Sequence, residues 1–179
     1  MKSLAILPIV TLLAACATSN PNLPTQPDVD LAHYAGTWYE QAKLPNRFQR
    51  DCVGHVQADY VIQPGGTIVV TNQCRTESGE IKVAVGEGRL AKDVQPQDPA
   101  KLEVRFAPEW TSFLPMVWGD YWILRLEGDY QHSLVGTPDR EYLWVLSRDR
   151  QADDAVVDQL LAHARTLGFP VEQVTRTRN

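Results

Sequence analysis

The chain has 179 residues and a formal net charge of −5, with 17 Lys and Arg against 22 Asp and Glu and no basic stripe, which excludes nucleic acid as a partner. A 44% hydrophobic content is enough for a core of its own, and the length fits one domain. The chain holds 3 cysteines, none of them with a second Cys or His at metal-ligand spacing, so neither a metal nor another cofactor is expected.

Residues 1–15, MKSLAILPIVTLLAA, pair one early positive charge with an apolar run from Leu4 to Leu13 and then small residues, the pattern of a signal peptide. The run is far shorter than the ~20 residues a helix needs to cross a bilayer. Leu13-Ala14-Ala15-Cys16 resembles a bacterial lipobox, in which the cysteine becomes the first mature residue and carries acyl chains; Cys16 is the expected lipid anchor. Ala17 in place of aspartate resembles the enterobacterial signal for the outer membrane, and the periplasmic face is the expected location. Residues 16–30 carry Pro21, Pro24 and Pro27 with few large apolar side chains, and read as an extended tether. Its reach is at most ~45–50 Å. The folded domain is then expected over 31–179.

From Thr37 to Arg148 the apolar residues alternate with period two. Eight strands are predicted at 37–44, 52–63, 67–76, 81–92, 101–107, 120–127, 131–137 and 142–148. Turn residues such as Pro64-Gly65-Gly66, Ser78-Gly79 and Gly128-Asp129 separate them, short enough for antiparallel neighbours. Val56, Ala58, Tyr60 and Ile62 share one face, Ile68 and Val70 another, and Leu102, Val104 and Phe106 a third. Cys52 and Cys74 fall on the apolar parity of strands joined by a hairpin, and export implies an oxidising compartment; a disulfide is expected between them. Between the fifth and sixth strands, 108–119 (PEWTSFLPMVWG) shows neither helical nor strand periodicity.

One helix is predicted over 152–167, with Val156, Val157, Leu160, Leu161 and Ala164 on one stripe, Asp153 and Asp154 in the first turn, and Gly168 then Pro170 to stop it. Residues 171–177 are expected to extend and add a strand to an edge. The pattern is mainly β: an eight-stranded antiparallel barrel with one C-terminal helix packed outside, whose interior holds side chains or one small ligand.

Three short stretches carry a family resemblance. Gly36-Thr37-Trp38 resembles the G-x-W signature of the lipocalins at the start of the first strand. Gly136-Thr137-Pro138-Asp139 with Tyr142 lies where their second signature falls, although two residues separate Asp139 from Tyr142. Leu146-Ser147-Arg148 matches the third, and the likeness runs over about residues 31–177, most similar to bacterial outer-membrane lipocalins and their apolipoprotein D-like relatives. The resemblance implies that Trp38 plugs the closed end of the barrel beneath Arg148, with Gly36 allowing the turn before it. It also implies fatty acids or lysophospholipids as ligands.

The lumen is expected to be lined by Val56, Tyr60, Ile68, Val70, Leu102, Val104, Trp122 and Leu124. His55, Arg89, Arg105, Arg125 and Tyr121 can each meet a ligand carboxylate or phosphate, although a solvated outer face suits a lone charge better. Trp110, Phe113 and Trp118 read either as a loop folded onto the body or as a lip that contacts membrane or forms a homodimer. Gly86-Glu87-Gly88-Arg89-Leu90-Ala91 fits a loose dinucleotide pattern, but no helix follows it. Binding without catalysis is the expected activity. The alternatives are an enzyme acting on a lipophilic substrate within the same fold, or a surface-interaction lipoprotein whose barrel is filled.

Overall fold

The alternation from Thr37 onward closes into a barrel. A computed structural model describes residues 23–92 and 97–179; the predicted signal peptide, Cys16 and the first part of the tether lie outside the described residues. The strands are β1 (Gly36–Lys43), β2 (Cys52–Ile62), β3 (Ile68–Thr76), β4 (Ile81–Leu90), β5 (Lys101–Arg105), β6 (Gly119–Glu127), β7 (His132–Gly136) and β8 (Leu143–Ser147). Each pairs antiparallel with the next, β8 pairs with β1, and β1 pairs with β2, so the sheet has no free edge along most of its length. Up-and-down connection puts 44–51, 77–80, 106–118 and 137–142 at one end, the mouth. The opposite end, the floor, carries a short helix α1 (Leu31–Tyr34) just before β1.

Helix α2 (Asp154–Thr166) packs outside the barrel. Asp153 caps it by accepting from the Ala155 amide at 2.9 Å. Val157, Leu160 and Ala164 are buried against Ala42, Leu124, Leu134, Leu143 and Val145, the outward side chains of the wall beneath. Each fully buried Val or Leu there contributes about 1.5–3 kcal/mol.

Two expectations change. The stretch expected as tether is packed from Leu23 onward. Leu23 and Val29 are buried, the Gln26 amide donates to the Ile123 carbonyl at 2.9 Å, and the Gln26 side chain accepts from the Leu126 amide. This segment satisfies backbone groups of β6 where β5 has ended. Prolines favour extension, and here the extended chain lies along the barrel.

The C-terminal piece does not extend throughout. Val171–Gln173 forms a 3₁₀ turn, and only Thr175–Arg176 is a strand, β9, opposite Lys43 and Ala42. β1 and β2 pair only as far as Tyr39 with Gln57 and then part. The tail fills the gap: Thr177 donates to the Gln41 carbonyl, and His55 donates to that of Arg178. A Cβ on Gly54 would stand 2.5 Å from the Arg178 carbonyl oxygen, so a residue without a side chain is needed there.

Candidate functional site

The lumen is built in three levels. At the floor, Trp38 is fully buried and donates its indole N–H to the Tyr34 carbonyl at 2.8 Å. Arg148 Cζ stands 3.9 Å above the Trp38 ring, and its guanidinium donates to the carbonyls of His33, Tyr34, Ala35 and Thr37. One cation thus satisfies the last carbonyls of α1, where the helix carries partial negative charge. Gly36 sits at φ +99°, and a Cβ there would lie 3.3 Å from Arg148 Nη1; the turn and the close approach both call for glycine.

Above the plug, buried hydroxyls are linked in a chain. Tyr60 donates to Tyr121 at 2.9 Å, and Tyr34 lies 2.8 Å from Tyr121 and 3.3 Å from Ser133. If Tyr121 donates to Tyr34 and Tyr34 to Ser133, each phenol proton is used once. Burial pushes the Tyr34 phenol up to about 12 and raises Tyr60 and Tyr121 as well. An apolar ring of Ile68, Val70, Leu102, Ile123, Val135 and Leu146 packs in the same cluster, with Val104 and Trp144 half-buried against it.

Near the mouth the lumen turns polar. Glu40 is only 2% exposed and stands opposite Leu146, one of the inward side chains. A bulge at Gln41 then sends Ala42 outward and turns Lys43 inward, opposite Trp144. Lys43 Nζ lies 3.0 Å from Glu40, and Gln49, from the 44–51 connection, donates to Glu40 at 2.6 Å while accepting from the Trp144 indole at 3.0 Å. Thr177 of the tail also donates to the Glu40 carboxylate. The buried charge is thus paired and hydrogen-bonded on both oxygens.

Several of the predicted site residues lie elsewhere. Tyr60, Ile68, Val70, Leu102 and Val104 face the lumen. Trp122 and Leu124 do not: they pack outward in the cluster against α2, and the inward pair on β6 is Tyr121 and Ile123. All four are buried, so apolar alternation carried no parity for that strand. Val56 is buried outside the lumen cluster, at a bulge of β2, where its amide donates to the Asn179 side chain. Cys52 and Cys74 form a disulfide near the mouth.

Trp118 is no lip residue. Its ring lies under Arg89, 3.5 Å from Cζ, and beside Arg105, on the outer wall of β4 and β5, and its indole donates to the Ser112 carbonyl. Arg89 and Arg105 are further held by Glu103 and Glu87, which removes both arginines from the lumen. Trp110 and Phe113 stand 75% exposed at the mouth, joined by Met116 at 83%. Arg125 pairs with Glu127, and His55 sits at the β2 bulge with φ +49°. Among the described residues no group of three or more His, Cys, Asp or Glu is placed to hold a metal ion. Sequence reasoning missed Glu40, although its parity with Trp38 put a carboxylate on an inward face. It also missed Lys43, Gln49 and Trp144, where the Gln41 bulge and a loop residue decide the geometry.

Comparison with known proteins agrees with this architecture. The family described as lipocalin-like domain matches residues 29–179. The chain is 37% identical over 150 residues to temperature-induced lipocalin-1 of Arabidopsis thaliana, covering 83% of this chain and 78% of that one. It is 33% identical over 179 residues to the outer membrane lipoprotein Blc of Citrobacter freundii, covering 97% and 96%. Apolipoprotein D of Macaca fascicularis is 32% identical over 163 residues, covering 86% and 79%. Among solved structures, insecticyanin from the tobacco hornworm Manduca sexta shares the fold with a TM-score of 0.68 at 22% identity, covering 89% and 85%.

Proposed function

The chain belongs to the lipocalin family, and from that membership we propose that it binds and carries fatty acids or lysophospholipids in the bacterial envelope. The observation that carries this reading is the graded lumen: an apolar ring between a sealed floor and a polar mouth. Such a lining suits an elongated molecule with one polar end. Trp38, Gly36 and Arg148 act as the structural plug, since their polar atoms are spent on backbone and on each other. Tyr60, Ile68, Val70, Leu102 and Val104 form the ligand wall.

Cys16 anchors the protein to the outer membrane, at the periplasmic face, once residues 1–15 have been removed. The similarity to Blc, named as an outer membrane lipoprotein, supports this location. With the domain packed from Leu23, residues 16–23 reach no more than about 25 Å, which holds the barrel close to the bilayer. Exposed Trp110, Phe113 and Met116 then serve as a lip for headgroup contact or for a homodimer. Binding rather than catalysis is favoured because the disulfide consumes Cys52 and Cys74, the thiols a covalent mechanism would use.

Native mass spectrometry of the Cys16→Ser form, purified without detergent and followed by organic extraction, tests the carrier reading. A bound acyl lipid in a reproducible one-to-one or one-to-two ratio is expected. An empty protein that also takes up no added lysophosphatidylcholine overturns it.

A further inference from the structure

The tail that fills the wall between β1 and β2 also bounds, with the 44–51 connection and the start of β2, a cleft of about 420 Å³. Lys43, Arg50, Arg176 and Arg178 line it, and among the described residues no aspartate or glutamate does, in a chain of net charge −5. Two of these cations are matched: Lys43 by Glu40, and Arg176 by Asp158 and Asp154 of α2. Arg50 and Arg178 have no carboxylate within 4.0 Å among the described residues. Asp51, the acid next to Arg50, is hydrogen-bonded to Lys82 at 2.7 Å, and the Arg50 charge reaches it only as a lesser influence. Val53 and Val56 line the same cleft, so it offers apolar surface beside its positive charge.

The cleft borders the polar mouth of the barrel. Lys43 and Gln49 belong both to it and to the cluster around Glu40 and Trp144. The far end of the lumen is unsuited to charge. Its hydroxyls are committed to one another, and the burial that keeps its three phenols neutral equally penalises a ligand anion.

We propose that this cleft is an oxyanion site, which takes the phosphate or carboxylate head of an amphiphile whose acyl chain runs down the lumen toward Trp38. Arg50 and Arg178 supply the charge-assisted hydrogen bonds, and Val53 and Val56 cover the first carbons of the chain. This rests on the lipid-carrier reading and adds an orientation and a head-group class to it.

The double variant Arg50→Gln/Arg178→Gln tests the site, because both side chains are exposed and their loss leaves the core intact. Three probes are titrated at low and at physiological salt: a lysophosphatidylglycerol, a monoacylglycerol of the same chain length, and inorganic phosphate. The natural chain is expected to favour the charged lipid over the neutral one by roughly tenfold at low salt. The variant abolishes that preference and leaves monoacylglycerol binding unchanged. Phosphate bound by the natural chain and lost in the variant, with both lipids held alike, overturns the head-group assignment and identifies a site for free oxyanion. Equal affinities of the two proteins for all three probes overturn the site. Failure of the natural chain to bind either acyl probe sinks the carrier reading instead, and the phosphate arm still reports on the cleft.

Discussion

The floor and the mouth of this barrel are built from similar residue types and treat them in opposite ways. At the floor a buried indole and three buried phenols interlock with a half-buried arginine, and the Arg148 guanidinium is spread over five carbonyls. At the mouth, Trp110 and Phe113 stand in solvent, and among the described residues Arg50 and Arg178 have no carboxylate within 4.0 Å. An aromatic group or a cation contributes to stability only when the fold surrounds it and satisfies its polar atoms. Left exposed, the same group is available to something else. The floor therefore holds the structure, and the mouth is where binding energy remains unspent.

Trp38→Ala breaks the comparison from the stable side. It empties the most enclosed position and strips Arg148 of its stacking partner, and a loss of about 3–5 kcal/mol in unfolding free energy is expected by urea titration. Ligand preference in whatever fraction stays folded should not change. A loss of binding with stability retained would mean that the plug belongs to the site.

The buried phenols give the floor a signature in alkaline solution. The Tyr34 phenol stands at about 12 when folded, against 10.0 for the ordinary group, so the folded state holds its proton more tightly. Its contribution is fully present below about pH 10 and is lost as pH rises through the folded value. Tyr60 and Tyr121 shift in the same direction. Of the 6 tyrosines, these 3 should ionise only as the protein unfolds. Ultraviolet titration of tyrosinate alongside circular dichroism checks this; six phenols titrating together in the native state would contradict a sealed floor.

Trp110→Ser/Phe113→Ser acts at the other extreme. Both side chains are exposed, so stability should move by less than about 0.5 kcal/mol. Partition of the Cys16→Ser form onto phospholipid vesicles should fall several-fold. If vesicle binding is unaltered and sedimentation shows a dimer lost, the lip is an interface between copies.

Most of the wall was legible because a strand half-facing water writes its orientation as alternation. β3 declared its inward residues that way, as did Ala58 and Tyr60 of β2 and Leu102 and Val104 of β5, whereas the bulge takes Val56 out of the lumen and Ile62 and Phe106 stand exposed at or past the strand ends. β6 did not, because Tyr121, Trp122, Ile123 and Leu124 are buried on both faces, two toward the lumen and two beneath α2. The aromatic stretch between β5 and β6 carried no period, so nothing local distinguished Trp118, clamped by Arg89, from Trp110, which is free. The polar mouth was the least legible part. It joins the local group Glu40, Lys43 and Gln49 to Trp144 and Thr177, which lie 95 and 137 residues from their partners and meet them only once the barrel has closed.

By itself the sequence determined the eight strands, the capped helix, the glycine ahead of Trp38 and the pairing of Cys52 with Cys74. Each follows from short-range rules: a period of two, a cap, a turn, a shared parity across one hairpin. Only the tertiary structure decided that the tail closes the wall between β1 and β2, that the bulge at Gln41 turns Lys43 inward, and that four cations meet in one cleft. Those outcomes depend on register, and register is settled by contacts among strands distant in sequence, where a single bulged residue reverses every side chain beyond it.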